Sequence, residues 1–443
     1  MKSILITGPS SNSGKTTITL ALTRAISNRG YKISAFKAGP DFIDLRYLEM
    51  ASGKQAGNLD IHLMGIDGVR TSLSMNYGEY GIVEGAMGYF DGIYNGFENS
   101  SYHISNELDI PTILVYRPKG EMFSVIPKIK GMVDFSGSKI KGIILNEVNE
   151  RIYRLLREKI EEYIGVEVLG YLPKDKKLEL ESRYLGLVWP DNRKDSQDFI
   201  SRAANIAEKT LSIDRILGLA NEIQVEDYKH EGKRNIKVAI ARDGAFNFYY
   251  RENLKLLENT CKVEYFSPIK DKEVPSADLI YLGGGYPELF KEELTANKDM
   301  IRSIREKAEE GVFILAEAGG FMYLVSSIEG HAMCNIFKGH SRMTNRLQRF
   351  GYVDMELRED TILGKKGDII KGHEYHQSTI DIDHKPLFNI SKPKDISRRW
   401  LCGYSFKNVL AYYQHINFLG NRKTFNHLLD SIENKRKRDK IVY

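Results

Sequence analysis

Three cysteines in 443 residues, Cys261, Cys334 and Cys402, are too few and too far apart for a disulfide framework, and they form no CxxC or His/Cys metal pattern. Reduced thiols in a cytoplasmic protein are the expectation. No apolar run approaches the length of a membrane span, so no membrane role is expected. Nor does the N-terminus have the charged, apolar, small-residue layout of a signal peptide, because Ile4-Leu-Ile-Thr7 runs straight into a glycine-rich loop. Charge of one sign is scarce too: 64 Lys and Arg face 59 Asp and Glu, a formal net charge of +5. The one dense basic run, Lys435-Arg-Lys-Arg438, reads as a solvated tail, and without a basic face or recognition motif a nucleic-acid role is not expected.

What is present is length and apolar content. With 42% hydrophobic residues the chain is too apolar for disorder and too long for one ordinary core, so two domains are expected. Short β-branched runs at 3–7, 33–37, 81–83, 112–115 and 140–145 alternate with amphipathic stretches such as 17–29 and 152–163, the pattern of a parallel α/β sheet. The charged, aperiodic segment Glu226 to Asn235 predicts a linker between a domain over 1–225 and a second α/β domain over 236–443.

Gly8-Pro-Ser-Ser-Asn-Ser-Gly-Lys-Thr-Thr17 follows a strand and opens a helix, the context of a phosphate-binding loop. Asn12, Ser13, Gly14, Lys15, Thr16 and Thr17 would then bind ATP, with Lys15 on the β/γ oxygens and Thr16 able to reach Mg²⁺. Five residues, not the usual four, separate Gly8 from Gly14, a spacing that resembles dethiobiotin synthetase and its relatives. Two acidic pairs follow: Asp41 and Asp44 on a turn set by Gly39 and Pro40, and Glu84 and Asp91 in Val83-Glu-Gly-Ala-Met-Gly-Tyr-Phe-Asp-Gly92. Strand ends followed by glycine loops are where an open parallel sheet builds its ligand site, and carboxylates there can hold the metal that bridges ATP to an acceptor. Thr16, Asp41 and Glu84 are the expected metal set. Each acid also has an ordinary alternative as a helix cap or a solvated loop charge.

Gly39-Pro-Asp-Phe-Ile-Asp44, Asn58-Leu-Asp60, Glu84 to Gly92 and Gly142-Ile-Ile-Leu-Asn146 resemble the synthetase domain of the cobyrinic acid a,c-diamide synthase family. Ala241 to Tyr250, Phe266-Ser-Pro268, Tyr281 to Phe290 and Gly372-His-Glu-Tyr-His376 resemble its glutaminase domain. The match runs in order over nearly the whole chain, and it does not separate the cobalt-corrin enzyme from its nickel-sirohydrochlorin sister. The resemblance implies an ATP-dependent carbon–nitrogen ligase that amidates the a and c acetates of a tetrapyrrole through acyl phosphates, with ammonia drawn from glutamine. It implies that Asn146 reads the adenine edge, that Asp41, Asp44, Glu84 and Asp91 serve phosphoryl transfer, and that His415 is the glutaminase base. His373 and His376 are rivals for that base, and Asn417 stands where a second histidine is usual. A homodimer stays open.

One residue departs from that pattern. In Leu315-Ala-Glu-Ala-Gly-Gly-Phe-Met-Tyr-Leu324 the elbow position that carries the family's cysteine nucleophile is Ala318, and a methyl group cannot attack an amide. Tyr116-Arg117 replace a usual acid, and Tyr47, Tyr153 and Tyr184 fall where histidine is common. Ala318 is consistent with an engineered change, with a natural loss in a paralogue that uses free ammonia, or with a pseudoenzyme or regulatory subunit that binds ATP and tetrapyrrole. Several departures together with an intact phosphate loop favour a divergent synthase whose glutaminase half is dead or bypassed by ammonia.

Overall fold

The computed structural model describes residues 1–178, 182–183, 186–187, 193–225, 228 and 232–441. Tyr184 and residues 226, 227 and 229–231 of the expected linker lie outside them. The chain divides into two compact α/β units, Met1–Tyr228 and Lys229–Tyr443. Among the described residues no helix is long and apolar enough to cross a membrane.

Unit 1 is built on seven parallel strands: β1 (Lys2–Thr7), β2 (Ile33–Ala38), β3 (Gly57–Leu59), β4 (Tyr80–Glu84), β5 (Thr112–Tyr116), β6 (Ile140–Asn146) and β7 (Glu167–Leu172). Their order is β3-β2-β4-β1-β5-β6-β7, and a short strand, Asn221–Glu222, pairs antiparallel with the start of β1. Every residue of β2 and β5 is buried, as expected of parallel strands covered on both faces. One face packs on helix α1 (Lys15–Asn28), whose Ile18, Leu22, Ala25 and Ile26 share a core with Ala203, Ala204 and Ala207 of the helix Arg193–Thr210. Those small residues let two helices approach closely. The other face packs on Val125, Ile129, Leu156 and Ile160.

Register decides what meets at the carboxyl edge. Ile6 of β1 pairs with Glu84 of β4, and Lys37 of β2 pairs with the same Glu84. The phosphate loop after β1, the turn after β2 and the end of β4 therefore emerge side by side, where an open sheet binds its ligands.

Unit 2 holds a second parallel sheet of Lys262–Phe266, Lys237–Ala241, Leu279–Leu282, Phe313–Glu317 and Val409–Tyr412, in that order, with Tyr404–Phe406 antiparallel at its edge. A mixed four-stranded sheet and an antiparallel five-stranded sheet add to it, the latter running from Asp395–Cys402 through Phe388–Lys392, Arg349–Leu357 and Ile369–His376 to His415–Ile416. The basic run near the C-terminus lies on the helix Arg422–Ile441, where Lys435 Nζ donates to Gly311 O at 2.5 Å and Arg436 donates to Asn235 O, while Lys437 and Arg438 are solvent-exposed. Carbonyl acceptors on unit 2 hold Lys435 and Arg436 against the surface.

Gly320, second residue of the helix Gly319–Leu324, has its Cα pressed on the neighbouring strand, so that a Cβ there would lie 2.2 Å from Leu282 O. Backbone cannot yield as a side chain can. Gly320→Ala is expected to lower unit 2 stability by about 1–3 kcal/mol, the usual cost of overpacking. Urea denaturation followed by tryptophan fluorescence and circular dichroism reads it, and an unchanged midpoint would contradict the packing.

Candidate active site

At the carboxyl edge of unit 1 the phosphate loop has left-handed backbone at Asn12 (φ 61°) and at Gly14 (φ 97°), which caps α1. Gly14 has a second constraint, since a Cβ would lie 2.0 Å from Nδ2 of Asn146. That amide donates to Ser13 O at 3.1 Å, tying the end of β6 to the loop. Lys15 Nζ donates to Ser10 O at 2.8 Å and is buried. Burial and the neighbouring Lys37 charge pull its pKa down to about 8, against upward pulls from Glu84, Asp44 and Asp91. Thr17 follows as a partly exposed residue of α1.

The acids converge on a cation that sequence reasoning passed over. Lys37 Nζ lies 2.6 Å from Asp44 Oδ2 and 2.7 Å from Glu84 Oε1, and all three side chains are buried. Thr16 Oγ1 donates to the same Glu84 oxygen at 2.5 Å. Burial lowers the affinity of Lys37 for its proton, but the charges of Asp44 and Glu84 outweigh it and hold the pKa above the ordinary range. Burial pushes Glu84 upward, with Lys37 acting against it. A lone charged residue in the buried strand Ile33–Ala38, two residues before the Gly39-Pro40-Asp41 turn, was the available signal. Asp41 is placed differently from Asp44. Its Oδ1 accepts from the amides of Ile43 and Asp44, both at 2.8 Å, so it caps the helix α2 (Ile43–Ser52), while burial and the Asp44 charge push its pKa up. Asp91 is exposed and accepts from Gly88 N at 2.9 Å. Arg117, in the place of a usual acid, pairs with Glu147 at 2.5 Å.

In unit 2 the strand Phe313–Glu317 ends at Ala318, whose φ of 44° and ψ of −103° are those of a strained elbow. Its amide donates to Tyr412 O at 2.8 Å, and its carbonyl accepts from Met322 N at 3.0 Å. Gly285, third of the glycine run, lies beside this elbow: a Cβ on Gly319 would come within 3.1 Å of the Gly285 nitrogen. His415 is buried, with Nδ1 3.3 Å from Glu317 Oε2, and a Cβ on Gly284 would lie 2.4 Å from its ring. Elbow, histidine, orienting carboxylate and glycine amides are thus assembled, and Glu317 is the second residue that sequence reasoning missed, though it directly precedes Ala318. His376 stacks on Tyr413 at 3.8 Å and gives Nδ1 to Ser378 O, while His373 pairs in register with His415. Burial pulls His376 down to about 4 and His373 to about 3. Asn417 Oδ1 accepts from Leu419 N at 2.9 Å, a local turn contact.

No thiol substitutes for the missing one. The amide of Cys334 donates to Tyr323 O of the helix that follows the elbow, but burial pushes its thiol up to about 12. Burial likewise raises Cys261 to about 12 and Cys402 to about 11.

With this geometry in view, residues 4–188 match the CobQ/CobB/MinD/ParA nucleotide binding domain and residues 237–423 the CobB/CobQ-like glutamine amidotransferase domain. A cobyrinate a,c-diamide synthase of Clostridium acetobutylicum is 42% identical over 97% of this chain and 100% of its own. The chain belongs to the cobyrinate a,c-diamide synthase family. The synthases named so in Clostridium tetani and Listeria monocytogenes are 40% and 38% identical over 97% and 98% of this chain and all of theirs. This is a family of ATP-dependent ligases with a nucleotide-binding half and an amidotransferase half.

Two outcomes follow from the cluster. Lys37→Met would strand two buried carboxylates and should cost unit 1 about 3–5 kcal/mol in chemical denaturation, whereas Glu84→Gln leaves Lys37 paired with Asp44 and should cost far less. Equal melting of the two variants would contradict the arrangement.

The second concerns pH. Lys15 loses its charge as pH rises through about 8 in the free protein, so kcat/KM for ATP should fall above pH 8 toward a slope of about one log unit per pH unit. Bound phosphate favours the ammonium, so kcat should fall only at higher pH. A flat kcat/KM profile to pH 9.5 would contradict it.

Proposed function

We propose that this chain amidates the a and c acetate carboxylates of cobyrinic acid, or of a related tetrapyrrole, at the expense of ATP, and that free ammonia supplies the nitrogen. The observation that carries the phosphoryl-transfer half is the buried group of Thr16, Glu84, Lys37 and Asp44 beside the phosphate loop. A substrate carboxylate oxygen attacks the γ-phosphorus, the bond to the β–γ bridging oxygen breaks, and ADP leaves. Ammonia then attacks the acyl carbon, loses a proton, and expels phosphate. Positioning and charge neutralisation supply most of the rate in such a transfer.

Lys15 meets the β/γ oxygens in this reading, and Asn146 meets the adenine edge. A magnesium ion fits beside Thr16 and Glu84, because Glu84 Oε2 is buried without a hydrogen-bond partner and Mg²⁺ is held by one or two carboxylates together with phosphate oxygens. Bound there, it would screen the phosphate charge. Asp41, with one oxygen spent on two amides, acts by fixing the turn that carries Asp44, and Asp91, bonded to Gly88 N in the loop after β4, adds its charge to the surroundings of Lys15.

The nitrogen source rests on Ala318. His415 and Glu317 are positioned as a base and its orienter, yet the elbow residue Ala318 carries only a methyl group, so no glutamyl thioester can form there. With cobyrinic acid and ATP, amide formation is expected with ammonium chloride and not with glutamine. Ala318→Cys should add glutamine hydrolysis at least about tenfold above background, a gain of about 1.4 kcal/mol. Glutamine-dependent amidation by the unaltered chain would overturn the ammonia reading. ATP binding with no amide from either source would overturn the ligase reading in favour of an ATP- and tetrapyrrole-binding pseudoenzyme.

A further inference from the structure

The loop that follows β4 is stitched to the phosphate loop along its first half. Gly85 N donates to Ile6 O at 2.8 Å and Tyr89 N to Gly8 O at 2.9 Å. Its second half closes on itself, Gly92 N donating to Gly96 O at 2.7 Å and Ile93 N to Glu98 O at 2.9 Å. Within it the backbone is left-handed at Met87 (φ 49°), Tyr94 (φ 56°), Asn95 (φ 57°) and Asn99 (φ 62°). Asparagine tolerates that region, but for methionine and tyrosine it is strained and persists only where the surroundings impose it.

The strain accompanies an outward display of large apolar side chains. Met87 is 54% exposed, Tyr94 43% and Phe97 52%. Phe97 continues into a chain of ring contacts, to Tyr102 at 5.5 Å, from Tyr102 to Phe90 at 5.1 Å, and from Phe90 to Phe135 at 4.7 Å, with Phe135 itself 53% exposed. Single exposed aromatics need no explanation, but the run of rings Phe97, Tyr102, Phe90 and Phe135, which begins on the loop that carries Asp91 and ends after the helix Val125–Asp134, does.

We propose that Met87, Tyr94, Phe97 and Phe135 form the platform on which the apolar face of the tetrapyrrole rests, and so determine its binding. This rests on the amidation reading above. The 85–99 loop borders the phosphate loop, Tyr89 N donating to Gly8 O at 2.9 Å, so an acceptor held against its outer side sits beside that loop. A tetrapyrrole is a broad apolar plate with carboxylates on its rim. Aromatic side chains bury such a plate over a large area at small entropic cost, leaving the rim free to turn one acetate toward the phosphate. Phe90, a member of this run of rings, is next in sequence to Asp91.

The test is a titration of the full chain with cobyrinic acid, read by its visible absorption without ATP, for the parent, Phe97→Ser, Tyr94→Ser and Phe97→Tyr. Serine at either exposed position should raise the Kd for cobyrinic acid about tenfold or more with ATP affinity and melting temperature unchanged, and Phe97→Tyr should restore binding. An unchanged Kd in both serine variants would overturn the platform and leave the amidation reading intact. So would conversion of a parent dimer to monomers by these variants, which would assign the patch to a second copy of the chain. If the parent binds no cobyrinic acid the platform is wrong, and parallel turnover with ammonium chloride decides whether the amidation reading falls with it.

Discussion

A single buried ammonium organises the phosphate site. Lys37 lies between Asp44 and Glu84, and through them draws together the end of β2, the first turn of α2, the end of β4 and, by way of Thr16, the first turn of α1. Three ionised groups without solvent would each carry a desolvation cost of several kcal/mol, and only mutual pairing makes the set tolerable. The consequence is rigidity: no member can move toward a ligand without leaving another unpaired. Such a cluster holds its geometry before ATP arrives, which is the condition under which charge stabilisation is worth most.

The second unit presents the opposite case, a strained elbow whose side chain is a methyl group. Ala318 holds a backbone conformation that costs an L-residue about 1–3 kcal/mol. An alanine gains nothing from that strain at the reaction centre, so its support is structural. The amide and carbonyl of Ala318 are both bonded, Gly320 is pressed against Leu282 O, and the following helix is fully buried. Relaxing the elbow would mean moving the helix out of the core. The elbow therefore needs no reactive side chain for the fold, whereas it does need the two glycines after it, and His415 Nδ1 lies 3.3 Å from Glu317 Oε2.

The free ammonia reading and the platform reading address two ends of one reaction. On the free-ammonia reading the nitrogen is captured from solution, which places weight on holding the activated substrate long enough to be attacked. A broad apolar contact serves that need without adding charge near the acyl phosphate.

Some of this was written in the residue order alone. The glycine and lysine spacing after an apolar strand announces a phosphate loop because those residues act through local backbone, and the alternation of β-branched runs with helical stretches gives parallel sheets because periodicity is a local property. The methyl at position 318 was equally plain. Tertiary structure alone decided which acids share a cation, since the Lys37–Glu84 pair depends on β2 and β4 being neighbours in register, and that strand order cannot be read from a sequence in which β3 intervenes. It separated Asp41, turned into a cap, from Asp44, turned into the cluster. It brought Glu317 to His415 across 98 residues and docked Lys435 and Arg436 of the basic C-terminal run on carbonyl oxygens of unit 2. In each case the reason is the same: long-range charge pairing is set by topology, and residue order constrains topology only weakly.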